Sequence, residues 1–153
     1  MTPTILFLVL VASPPRTMFH AELGQDCSTI SAPIAWTDGS GRSEIQAHTT
    51  IGPMPFGEVR YLCWDGVLVT IEAKFSPASG RGIRNSLSRR WGQSSYEPWV
   101  DIYSWHDDDT MARLDYTDDG VLTISDRSLL MGWRRARTPG LYGMNSDGHE
   151  MGE

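Results

Sequence analysis

No stretch of this chain is apolar for long enough to cross a bilayer as a helix. The longest apolar run, over residues 5–12, falls far short of the roughly 20 residues a spanning helix needs. Cysteine is scarce, with only Cys27 and Cys63. His20, His48 and His149 have no partner at a metal-ligand spacing. An excess of basic charge is missing too: the formal net charge is -6, which argues against nucleic acid as a partner. Gly-x-Ser-x-Gly, a phosphate-cradling glycine loop and a His-Glu-x-x-His helix are all absent. Gly80-Arg81-Gly82 lacks the strand-turn-helix context of a nucleotide site. Neither an internal repeat nor a coiled coil is present, and no cofactor is expected.

What the chain does contain is an ordered series of strand and helix signals. Residues 59–64 and 67–75 flank Asp65-Gly66, the strongest short-range hairpin signal in the sequence. A two-residue turn there sets Trp64 opposite Val67 and Leu62 opposite Val69. It leaves Val67, Val69, Ile71, Ala73 and Phe75 as an alternating apolar stripe. Downstream, Ile83, Leu87 and Trp91 recur at helical spacing and Gly92 stands where a C-cap belongs. A short helix is expected, its start blurred by Gly80 and Gly82.

Three further strands follow. A tight even-length turn between strands at 99–106 and 110–116 places Tyr103 and Trp105 on one face with Ala112, Leu114 and Tyr116. The next connection, Asp118-Asp119-Gly120, reads as a three-residue loop with Gly120 left-handed. That loop sets Tyr116 opposite Leu122 and Leu114 opposite Ile124, whereas a two-residue turn would put Leu122 and Ile124 on the Asp115 side.

The order hairpin, short helix, three-stranded meander predicts an α+β domain: a mostly antiparallel sheet with the helix packed on one face. The helix followed by a three-stranded meander is similar, as element order alone, to small exported binding modules such as the β-lactamase-inhibitor-like arrangement. Residues 22–132 are read as the single domain and 133–153 as a loose tail. Within the domain, 34–36 and 43–51 are strand-like, with a turn at 38–41 and a proline-interrupted connector at 52–57. With 40% hydrophobic residues, a chain of this length can bury a core.

Residues 1–21 read as a secretory signal or N-terminal extension. The apolar run ends at Ser13-Pro14-Pro15, as an h-region and its break would. No Lys or Arg precedes it, and no small-x-small site is clean; Ala12 or Ala21 precedes the cut. The alternatives are a buried N-terminal strand or a start at Met18. In an oxidising compartment Cys27 and Cys63 would form a disulfide, so the two expectations stand together, and the chain is read as periplasmic or secreted.

Trp36, Trp64, Trp91, Trp99, Trp105 and Trp133 are spread along the chain and are expected mainly as packing residues, an exposed platform for sugar faces being the sharper alternative. Arg81, Arg84, Arg89 and Arg90 have no acid among them, and Arg134, Arg135 and Arg137 form a second basic group. Residues 101–126 hold eight aspartates against Arg113. Arg84, Arg89, Arg90 and Trp99 are the candidate interaction surface. His106 with Asp107, Asp108 and Asp109 could face a divalent cation, but consecutive residues on a tight turn diverge, and a polar hairpin tip is expected instead.

These signals favour a non-enzymatic exported module that binds a protein or cell-envelope component. The competing class is a small hydrolase with a dispersed site near His106 and Asp107 to Asp109.

Overall fold

The computed structural model describes residues 13–31, 34–37, 42–47, 56–117 and 119–137. The apolar run at 5–12, the turn at 38–41, residues 48–51, the connector at 52–55 and the chain from 138 onward lie outside the described residues.

In chain order the strands are β1 (Thr17–Met18), β2 (Ala21–Glu22), β3 (Ile34–Thr37), β4 (Arg42–Ala47), β5 (Phe56–Trp64) and β6 (Val67–Phe75). Helix α1 (Gly80–Trp91) follows, then β7 (Ser95–Glu97), β8 (Ile102–His106), β9 (Thr110–Asp115), β10 (Gly120–Asp126) and helix α2 (Arg127–Arg137). Among the described residues β1 and β2 form a small hairpin, and the other strands form one sheet in the order β3-β4-β5-β6-β10-β9-β8-β7. Every pairing is antiparallel. After β6 the chain crosses by α1 to the far edge and returns strand by strand to lay β10 against β6. The fold is α+β, as the element order predicts.

Asp65 and Gly66 both have positive φ, 49° and 78°, the backbone that a twisted two-residue hairpin turn requires. Trp64 pairs with Val67 as expected, but Leu62 lies opposite Thr70 rather than Val69. Val69 is the extra residue of a bulge between Leu62 and Cys63. Past the bulge, Leu68 turns its N–H and C=O to Gln25 and Gly24. The N-terminal segment is thereby attached to the hairpin, and the Cys27–Cys63 disulfide closes the same junction. On the chain-entropy model a bridge spanning 36 residues stabilises the fold by about 4 kcal/mol.

The core lies between α1, the N-terminal segment and one sheet face. Ile83, Leu87 and Trp91 from α1 meet Ile71, Ala73, Leu114, Leu122 and Ile124 in one buried cluster. Trp91 packs edge-on against Trp105 at 5.7 Å, and the Trp105 indole N–H donates to the Gly92 carbonyl at 2.9 Å. Each fully buried Leu or Ile here contributes about 1.5 to 3 kcal/mol.

The meander keeps the expected faces with corrected details. Tyr103 pairs with Leu114 and Trp105 with Ala112. Leu122, however, pairs with Leu114 and Ile124 with Ala112, so β10 has slid by two residues, which preserves parity. Gly120 is the physical reason. It is a strand residue opposite Phe75, where a Cβ would collide with the Phe75 carbonyl, and it is not among the positive-φ glycines.

Two further differences concern element ends. The strand expected at 99–106 starts at Ile102, because Trp99 lies in a turn after β7. Pro98 has no N–H to continue the ladder. Helix α2 carries regular structure through Trp133 to Arg137, into the segment read as tail. Asp126 caps it, accepting the Leu129 N–H at 2.9 Å and the Ser128 hydroxyl at 2.7 Å. Upstream of the boundary at Glu22, Phe19 and Ala21 belong to the core cluster.

Candidate functional site

The most distinctive surface chemistry lies where α1 meets the β7 edge. Tyr96 on β7 pairs with Tyr103 on β8, and Tyr116 follows β9 on the same face as Leu114, diagonal to Tyr103. Strand parity thus produces a ladder of three rings. Tyr96 and Tyr103 stack at 4.7 Å with planes 30° apart; Tyr103 and Tyr116 stack at 5.7 Å and 2°. Arg84 of α1 lies over the Tyr103 ring at 4.9 Å and donates to its hydroxyl at 3.0 Å. Arg84 therefore combines a cation-π contact with a charged hydrogen bond. At the inner end of the ladder Tyr116 occupies the space beside Gly80, where a Cβ would run into its ring.

Beyond the outer end is the turn at 98–101. The Tyr96 hydroxyl donates to Asp101 at 2.7 Å, and the Val100 N–H donates to the Glu97 carbonyl at 3.2 Å. Asp101 has a left-handed φ of 51°, which Asp tolerates better than most residues. This bracing presents Trp99 to solvent with 82% of its surface exposed, flanked by exposed Tyr96 and Val100. The hydrogen bond to Asp101 pushes the Tyr96 phenol up to about 12. Burial, followed by the bond to Tyr103, pushes Tyr116 up as well. Both shifts oppose phenolate formation at Tyr96 and Tyr116.

The candidate surface residues separate in space. Arg84 joins the ladder beside the Trp99 turn. Arg89 donates to the Asn85 carbonyl at 3.2 Å, and Arg90 is exposed. At roughly 100° per residue around a helix axis, Arg84, Arg89 and Arg90 radiate in three directions. The other tryptophans divide as follows: Trp91 and Trp105 are buried, Trp64 is half-buried, and Trp36 and Trp133 fall outside the described side chains.

The turn after His106 is held by its own carboxylate. Asp107 accepts the backbone N–H groups of Asp109 at 2.9 Å and Thr110 at 2.6 Å. Burial pushes its carboxyl up, but the Thr110 and Asp109 N–H groups, Ser13 and Arg16 outweigh it and hold it below the usual carboxylate value. Arg127 clamps the same turn from α2, donating to the Asp107 carbonyl at 2.6 Å. His106, Asp108 and Asp109 are exposed. Among the described residues no group of three or more His, Cys, Asp or Glu is placed to hold a metal ion.

On the opposite sheet face a cleft of about 510 Å³ lies beneath α2, lined by Leu62, Glu72, Met111, Arg113, Val121 and Leu130 among others. Its rim mixes charge of both signs with apolar side chains. It takes in neither the tyrosine ladder nor the His106 turn. No helix among the described residues is long and apolar enough to cross a membrane.

Sequence reasoning named Trp99 and Arg84 but passed over Tyr96, Tyr103 and Tyr116 as a unit. Tyr103 and Tyr116 were legible as same-face neighbours; β7 is too short to signal its own pairing. Comparison of the chain with protein-family models, curated proteins and solved structures finds no significant match.

Proposed function

We propose that this chain is an exported, disulfide-bonded, non-enzymatic binding module whose contact surface is the Trp99 turn and the tyrosine ladder behind it, and that its partner is a protein. One observation carries the reading: a tryptophan 82% exposed on a turn braced by the Tyr96–Asp101 bond. Trp, Tyr and Arg dominate the energetics of protein interfaces, and here all three types adjoin on rigid elements. A pre-braced turn also reduces the ordering cost of association. The stacked rings cover one another's faces, which leaves less flat aromatic surface for a sugar than separate platforms would. Export is supported by the Cys27–Cys63 bridge, since structural disulfides persist in oxidising compartments. The hydrolase alternative gains nothing from Asp107, whose carboxylate is engaged with backbone N–H groups.

Photo-crosslinking tests the reading. A photoreactive side chain at position 99 is expected to capture a protein partner in the compartment where the chain resides, and one at position 113, in the opposite cleft, is not. Trp99→Ala is expected to weaken binding of the captured partner roughly 30-fold or more, as for a hot spot of about 2 kcal/mol, with an unchanged melting temperature. Capture from 113 alone, retention by polysaccharide instead of protein, or equal binding by Trp99→Ala would overturn it.

A further inference from the structure

The cleft beneath α2 has an ordered floor, because strand register sets its side chains in rows across the sheet. At the end where β10 runs into α2, the row reads Met111, Ser125, Thr70 and Leu62 on β9, β10, β6 and β5. Thr70 and Ser125 are buried, and their hydroxyls hydrogen-bond to each other at 2.9 Å. Each therefore has a partner without a ligand. With Leu62 and Met111 on either side and Leu130 of α2 lining the same space, this row is suited to an apolar chain.

The next row lies roughly 7 Å further along the strands and has the opposite character. Arg113 pairs with Thr123, and Thr123 with Glu72. Glu72 stands beside Arg60 on the neighbouring strand. Arg113 has no such counterpart: among the described residues its half-buried guanidinium makes no hydrogen bond or ion pair. Asp115, the acid on its own strand, turns an oxygen to the N–H and hydroxyl of Thr117. A guanidinium partly withdrawn from water calls for an acceptor, and a carboxylate matches its fork with two parallel N–H···O bonds. Arg134 of α2 lines the same cleft and adds a second cation.

We propose that the cleft binds a single-chain carboxylate amphiphile of the medium-chain fatty-acid type, its head on Arg113 and its chain over the Met111 to Leu62 row beneath Leu130. Four adjacent strands span roughly 14 Å, which an extended decanoate fits. The volume of about 510 Å³ falls within the roughly 300 to 1,000 Å³ of small-molecule sites. Asp115 and Glu72 border the head position, so a single negative charge is favoured there over a doubly charged phosphate. The site is separate from the Trp99 turn and stands independently of the protein-binding reading.

Calorimetric titration of the full, disulfide-bonded chain with decanoate below its micellar concentration tests the proposal. Saturable binding is expected. Arg113→Gln should weaken it roughly tenfold or more, as for loss of a charged hydrogen-bonded pair. Arg81→Gln removes an exposed cation from α1, on the other sheet face, and should leave the affinity unchanged. Decanol on the wild-type chain needs no variant: it should bind roughly tenfold or more weakly than decanoate, and equally weakly to Arg113→Gln. Absence of saturable decanoate binding, equal decanoate affinity in Arg113→Gln, or decanol bound as tightly as decanoate would overturn the site. Decyl phosphate bound more tightly than decanoate would overturn the carboxylate head.

Discussion

Arg16 and Asp126, 110 residues apart in sequence, meet at 2.6 Å, and their contact ties the N-terminal segment to the cap of α2. Asp126 serves three donors at once, because one carboxylate oxygen accepts from Ser128 and Leu129 while the other accepts from Arg16. Burial pushes its carboxyl up, but the Leu129 N–H, Arg16 and Ser128 together hold it below the ordinary carboxylate range. The chain entry and the second helix are therefore coupled through a single acid.

That coupling gives stability a definite pH dependence. A folded-state value below the unfolded one, near ~3.9 for Asp, contributes stability that is complete above the unfolded value and lost as pH falls through the folded one. Asp107, also lowered, acts in the same direction. Wild-type protein is expected to lose stability below about pH 4. Asp126→Asn should be weaker by about 1 kcal/mol at neutral pH, since Asn still caps a helix and Arg16 keeps partial contact with water at 38% side-chain exposure. Its further loss on acidification should be smaller than that of wild type. Parallel acid profiles in urea unfolding would rule out Asp126 as the titrating group.

Two glycines of α1 should respond in opposite directions to the same substitution. At Gly82 an added Cβ meets nothing within 4 Å, so Gly82→Ala is expected to stabilise by about 0.5 to 1 kcal/mol through helix propensity. At Gly80 the same Cβ enters the Tyr116 ring. Gly80→Ala is expected to cost about 1 to 3 kcal/mol by overpacking and to disturb the ladder at its inner end. Thermal melts of the two variants that shift in the same direction would show that Tyr116 does not lie against the helix start.

Leu114 is fully buried between Tyr103 and Leu122, whereas its neighbour Asp115 faces the cleft and accepts the Thr117 N–H. Leu114→Ala should cost about 2 to 5 kcal/mol. Asp115→Ala should cost about 1 kcal/mol, the worth of an exposed hydrogen bond. Equal losses in denaturant unfolding would contradict the strand faces.

How far the sequence reveals this fold depends on the range over which each residue acts. Face assignment is a local property of strand period, so Tyr103, Trp105, Ala112, Leu114, Leu122 and Ile124 were all placed on the correct side from parity alone. Register depends on what each strand packs against. The Val69 bulge serves the N-terminal segment that pairs with Leu68, and the slide of β10 serves the close approach of Gly120 to Phe75. Neither partner is near in sequence. Helix α2 was missed for a related reason: its cap, Asp126, reads as one more aspartate in an acidic stretch until Leu129 and Arg16 are seen to converge on it. The candidate surface was half legible, since an exposed tryptophan beside a proline leaves a trace, whereas a ladder shared by three strands and a helix does not.

The outer rung of that ladder offers a direct optical test. Tyr96 donates its phenolic proton to Asp101 at 2.7 Å, so ionisation would both break that bond and set a phenolate against a carboxylate. The bond contributes most to holding the phenol at about 12, with desolvation and the charge of Asp101 adding to it. Because the folded value lies above the unfolded one, the associated stabilisation is present below about pH 10 and is lost as pH rises towards about 12. Asp101→Gly removes both the acceptor and the charge while tolerating the left-handed backbone at this position, and should return one tyrosine to titration near ~10 when tyrosinate absorbance is followed. Trp99 emission should broaden and shift to the red in the same variant, as the turn loses its brace. Trp99→Ala touches neither partner of the bond and should leave the Tyr96 titration where it was. An unchanged tyrosine titration in Asp101→Gly would mean that the turn is not held by this contact, and the presentation of Trp99 would lose its physical basis.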